Sequence, residues 1–149
     1  MILRPYKPHR DSVQRTRDAT TAIKGILKLN ISERLKRKLV SKAIWYATEC
    51  DGKYNLRYVS EGAKTLTKKR QRRHEHVWTR NGLIAALLKN PRRAAEIMQS
   101  ATACLVTRKE HNRLAAVAKK RPSAEGWDRY RFAKIAVFDR AAKRKKRVA

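Results

Sequence analysis

An α+β fold, mostly α-helical and opening on a helical hairpin, is what this chain predicts. Two stretches of helical apolar spacing near the N-terminus are separated by only Asn30, Ile31 and Ser32. Short apolar runs bounded by turn residues follow at Lys53–Val59, His74–Trp78, Thr102–Val106 and Ile135–Phe138. Helix-start residues stand between those runs, at Thr79 and Thr107. The chain has 149 residues, enough for one domain, read as 12–139 between a flexible basic arm at 1–11 and a basic tail at 140–149.

The first helix is expected from about Asp11 to Leu29, where Val13, Ala19 or Thr20, Ile23, Ile26 and Leu27 recur at helical spacing. Ser32 offers an N-cap for the second, Glu33–Glu49, with Leu35, Leu39, Ala43, Tyr46 and Ala47 as its apolar stripe. Asp51 and Gly52 supply turn chemistry that stops it, so the hairpin covers 12–50. A short strand fits Lys53–Val59, and Ser60–Lys69 carries no decisive pattern. After the strand at His74–Trp78, Thr79 caps a helix to about Lys89 with Leu83, Ile84, Leu87 and Leu88 inward. Pro91 suits the first turn of another helix, to about Ser100. Thr107 and Glu110 form a capping box that opens a helix to about Lys119. A short helix at Gly126–Tyr130 and the strand Ile135–Phe138 complete the domain.

The charge is one-sided. There are 39 Lys and Arg against 12 Asp and Glu, a formal net charge of +27. Such an excess repels itself and calls for a polyanion, nucleic acid first, because each neutralised phosphate releases counterions. DNA is favoured over RNA. No long apolar run marks a membrane span or a secretory leader, so the expectation is a cytoplasmic protein, nucleoid-associated if bacterial, or phage-encoded. Cys50 and Cys104 lie far apart without a CxxC pair, which suits buried thiols in a reducing compartment rather than a disulfide framework. The phosphate-contact candidates are the run Lys68, Lys69, Arg70, Arg72 and Arg73, then Arg80, Arg108, Lys109 and Arg113, and the tail residues Lys143, Arg144, Lys145, Lys146 and Arg147. Arg108 and Lys109 sit unfavourably at a helix start, where a nearby phosphate would compensate them. Trp45 and Trp127 fall among apolar positions and read as core. Trp78, two residues beyond His76, is the aromatic best placed to meet a nucleobase.

Three of the four histidines fall in two short segments: His74 and His76 flank Glu75, and His111 follows Glu110. A carboxylate between imidazoles, with another imidazole on a later element, is a donor set for one metal ion with a base beside it. Phosphodiester hydrolysis needs such parts, with histidine the base that works near neutral pH. Strand geometry sends Glu75 and His76 to opposite faces, so both reach one point only where the strand ends or bulges.

An acid–histidine pair at a strand end (Glu75, His76, Val77), followed by a strand-to-helix segment (Leu105–Arg113) carrying His111 and Asn112, resembles the ββα-metal, or HNH, endonuclease motif over residues 74–113. The resemblance implies Glu75 as metal ligand, His76 as general base and His111 as second ligand. Asn112 replaces His111 if the helix register differs by one, and His74 is a further candidate ligand. It implies a divalent ion, Mg²⁺ or Mn²⁺ ahead of Zn²⁺, and places a ββα-metal-like motif at 74–119 with a helical insertion. The chain departs from the family in lacking zinc-bracing Cys pairs and in carrying helices at 79–100 in place of a short loop. Asn81 and Asn90 are the two candidates for the family's middle Asn. The expected function is thus a metal-dependent endonuclease. A non-catalytic nucleic-acid-binding protein and a structural ribonucleoprotein component are the alternatives. Oligomeric state is left open.

Overall fold

The computed structural model describes residues 5–142 and 146–149. Helices α1 (Ser12–Lys28) and α2 (Glu33–Thr48) form the expected hairpin. Ser32 Oγ accepts from the Leu35 amide and so caps α2. The buried face of α2 is Val40, Ile44, Ala47 and Thr48, rotated from the stripe expected around Leu35 and Tyr46, both of which are exposed. Apolar residues flank the helix on two adjoining rows, and packing selects the row that meets Ile23 of α1 and Leu83 and Leu87 of α4 (Arg80–Lys89). Val13, likewise expected inward, is exposed.

Strand β1 (Tyr58–Ser60) leads directly into a short helix, α3 (Glu61–Thr65), in the segment whose pattern was undecided. Strand β2 (Arg72–His76) precedes α4, and the expected helix at 91–100 divides into a 3₁₀ turn, Pro91–Arg93, and α5 (Ala94–Gln99). Then come β3 (Ala103–Thr107), α6 (Arg108–Lys120), α7 (Trp127–Phe132), β4 (Val137–Asp139) and β5 (Lys146–Arg147). The sheet order is β2-β3-β1-β4-β5, with β1 and β3 parallel and the other pairings antiparallel.

Strand β3 is central, and nearly every side chain on it is buried. Its Cys104 and Val106 face a core with Leu114 of α6 and Tyr130 of α7. Its Ala103 and Leu105 face the opposite core, with Leu56, Val59 and Ala63. A third core lies among α1, α2, α4 and α5. Cys104 is a fully buried thiol as expected, whereas Cys50 is half-buried.

Residues 6–9 and 146–149 are more tightly held than their composition suggests. Near the N-terminus, the Tyr6 hydroxyl and His9 amide donate to Asp51, and the Asn55 side-chain amide donates to the Lys7 carbonyl. At the other end, Lys146 and Arg147 form an edge strand rather than a frayed tail. Val137 N donates to the Ala149 carbonyl, and Val148 N to the Val137 carbonyl. Backbone pairing stabilises a segment whatever the charge of its side chains, a term that charge counting does not register. Among the described residues no helix is long and apolar enough to cross a membrane.

Candidate functional site

β2 pairs antiparallel with β3, and α6 begins at the residue after β3. The turn into α6 is set by the expected capping box. Thr107 Oγ1 accepts from the Glu110 amide, and Glu110 Oε2 accepts from the Thr107 amide at 2.7 Å. Glu110 also accepts from the Ser60 hydroxyl at 2.6 Å, so its carboxylate is committed to the scaffold. With that start, His111 falls in the second turn on the side facing β2, and Asn112 falls on the exposed side. The helix register therefore brings His111, and not Asn112, to the site.

Cross-strand register decides which face each β2 residue joins. Glu75 is opposite Cys104, so it lies on the α6/α7 face. There its Oε2 is 2.6 Å from His111 Nδ1, and its Oε1 accepts from Arg129 Nη2 at 3.0 Å. Arg129 is only 2% exposed, and its Nη1 donates to the carbonyls of His76 and Val77. One guanidinium thus braces both the Glu75 carboxylate and the end of the strand that carries it.

His74 and His76 are opposite Leu105 and Ala103 and lie on the other face, over the helical hairpin. Both rings pack on Trp45 of α2 with centroids 4.7 Å away, and they lie 5.0 Å from each other. His76 Nε2 is 3.1 Å from the Thr48 hydroxyl. Burial pushes His74 down to about 4. Burial, with the nearby His74, Arg80 and Arg129 charges, pushes His76 down to about 3. Both rings are neutral at pH 7.

The two faces meet because β2 is an edge strand. A cleft of about 240 Å³ wraps its open side, lined by both histidines, Glu75, His111 and Trp45, and closed by Thr79, Arg80 and Asn81 at the start of α4. Arg80 lies over the Trp45 ring at 5.5 Å, which holds its charge at the cleft. Thr79 caps α4 by accepting from the Gly82 amide. Asn81 is thereby at the cleft, whereas Asn90 is an exposed residue at the far end of α4.

Three residues of this site had no signal in the local sequence pattern. Trp45, expected in the core, is half-buried and forms the cleft wall. Thr48 and Arg129 reach β2 from elements far away in the chain.

The phosphate candidates separate. Lys68, Arg70, Arg80, Arg108, Lys109 and Arg113 are exposed, and Arg73 is half-buried. Arg72 is not available: it shares the inward face of His74 and His76, is buried, and donates to the Leu66 carbonyl. Arg147 donates to the Ala149 carbonyl. Lys143, Arg144 and Lys145, with the side chains of Lys69 and Lys146, lie outside the described residues.

For a cation, the convergent donors are Glu75 Oε2 and His111 Nδ1. They now share a 2.6 Å hydrogen bond, whose proton an ion would have to replace. No group of three or more His, Cys, Asp or Glu side chains is assembled for a metal among the described residues. Glu75 and His111 are thus the two side chains at the cleft that could hold a divalent ion. No family model matches this chain, and no curated protein or solved structure was found to resemble it.

Proposed function

We propose that this protein is a metal-dependent endonuclease of the HNH type, acting on phosphodiester bonds of nucleic acid, DNA ahead of RNA. The observation that carries the reading is the β2–β3–α6 arrangement, which brings Glu75 and His111 to 2.6 Å in a cleft shared with His76 and Arg80. The charge of +27 supports a polyanionic substrate.

In this reading Glu75 and His111 hold the ion, with Arg129 orienting the carboxylate. When bound, the ion would offset charge on the phosphate and on the departing oxygen. Arg80 draws the phosphodiester into the cleft from the side of α4. His76 takes a proton from the attacking water. Thr48 Oγ1 is 3.3 Å from the Trp45 carbonyl and 3.1 Å from His76 Nε2. With its single proton given to that carbonyl, the hydroxyl accepts from Nε2–H, and Nδ1 keeps the lone pair that a base needs. Burial is the main cause that holds His76 low, and a phosphate in the cleft would offset only the smaller contribution of the Arg80 and Arg129 charges.

The test is cleavage of supercoiled plasmid with Mg²⁺, Mn²⁺ or EDTA. Metal-dependent nicking is expected, lower by about 10²–10⁴-fold in His76→Ala and lost in His111→Ala. Tight binding without cleavage of duplex DNA, single-stranded DNA or RNA under any metal overturns it, and makes the chain a non-catalytic nucleic-acid-binding protein.

A further inference from the structure

A second pocket, of about 480 Å³, lies on the other side of the first turn of α4 from the β2 cleft, lined by Trp78, Leu83 and Ile97 among others. Trp78 is 41% exposed, in a chain where aromatic residues make up only 7%. Its indole is backed by Gly126, where a Cβ would lie 3.2 Å from both Cε2 and Nε1. Gly126 also has a φ of +60°, so glycine serves both the turn and the close approach. The ring is thus supported on one side and open on another, which is the form of a stacking platform.

The polar lining comprises Glu125, the ion pair of Arg93 with Glu96, Gln99 and Ser100, so Glu125 is, among the described residues, the carboxylate in it without a cation beside it. Glu125 accepts from the Thr79 amide at 2.9 Å and the Thr79 hydroxyl at 2.7 Å, which fixes the carboxylate and leaves lone pairs on both oxygens. Gly82 allows that approach: a Cβ there would meet Glu125 Oε1 at 2.7 Å. Glu96 lines the same pocket, but both its oxygens accept from Arg93, at 2.8 and 2.5 Å. Glu125 is therefore the acceptor left for a ligand, and a carboxylate there accepts a hydrogen bond from a neutral ring that carries an amine.

We propose that this pocket takes one unstacked nucleobase bearing an exocyclic amine, with its ring against Trp78 and its amine toward Glu125. The inference rests on the nucleic-acid reading above and deepens it. Trp78 and Gly82 line this pocket, whereas Thr79, Arg80 and Asn81, between them in sequence, line the β2 cleft. The two sites thus share the first turn of α4, which lets one strand address both. The substrate engaged is single-stranded or locally opened.

Binding in EDTA tests this apart from catalysis, by anisotropy with labelled 12-residue strands of deoxycytidylate, deoxythymidylate and base-free sugar-phosphate at one salt concentration. The wild type is expected to bind in that order of decreasing affinity. Trp78→Ala should weaken the cytidine strand about tenfold, toward the base-free level, with an unchanged salt slope because no phosphate contact is lost. Trp78→Phe should restore most of the affinity. Equal wild-type affinity for the cytidine and base-free strands overturns the proposal, as does a Trp78→Ala loss that is the same for both. Loss of plasmid cleavage with this base preference intact would remove the nuclease reading and leave the base site standing.

Discussion

His76 shows how one side chain takes its chemistry from what surrounds it. In water an imidazole titrates near neutral pH; beneath Trp45, with Arg80 and Arg129 nearby, its protonated form is strongly disfavoured. His74, on the same face, is depressed as well. The unfolded chain binds these protons first, so stability is full above about pH 6.5 and falls as pH drops toward the folded values of about 4 and 3. Urea titrations at pH 7.5, 6.0 and 5.0 should show a loss of up to about 1.4 kcal/mol per pH unit from each histidine. His76→Gln should remove its share of that slope. A stability curve flat from pH 7.5 to 5.0 would mean that these rings are not held neutral by the fold.

At the level of elements, the site is an assembly of β2, α6 and α7, and Arg129 is the side chain that joins the last to the first. It spans a carboxylate and two strand carbonyls while almost fully buried. Removing one partner of a buried pair leaves the other charge unpaired, at a cost of about 3–5 kcal/mol. Arg129→Met should therefore lower unfolding free energy by that order and loosen Glu75. Arg129→Lys keeps the charge without the two-pronged geometry and should recover only part. A change below about 1 kcal/mol, well under the cost of an unpaired buried charge, would show that the brace is dispensable. Helix spacing made α1, α2, α4 and α6 legible from sequence, along with the Thr107–Glu110 capping box. The rotated burial of α2 was not legible, because two adjoining apolar rows satisfy the same periodicity until a neighbour covers one.

Across the molecule, the register of β2 against β3 puts Arg72 beside Thr107, so exposed Lys68 and Arg70 are at the same end of the sheet as Arg108 and Lys109. Basic residues far apart in sequence are thereby brought to one end of the sheet. If, as proposed, they bind nucleic acid, then with Arg80 and Arg113 they would grip about six phosphates, for which the slope of log K against log salt on duplex DNA is about −5. Anisotropy at 50, 100 and 200 mM salt measures it. A slope shallower than about −2 would exclude this surface as the main grip.

By itself the sequence determined the class of the fold and its helical hairpin, which follow from periodicity and local capping, both acting over a few residues. The candidate pairing of Glu75 with His111 came from the resemblance, and the expectation of a polyanion from the net charge of +27. Strand alternation already sends Glu75 and His76 to opposite faces; only the tertiary structure decided that β2 is an edge strand, so that both line one cleft around its open side. It also decided that Arg72 turns inward, that Trp45 leaves the core to form a wall, and that Arg129 braces Glu75. Each depends on which surface another element covers, and contacts between residues dozens of positions apart leave no local pattern to read.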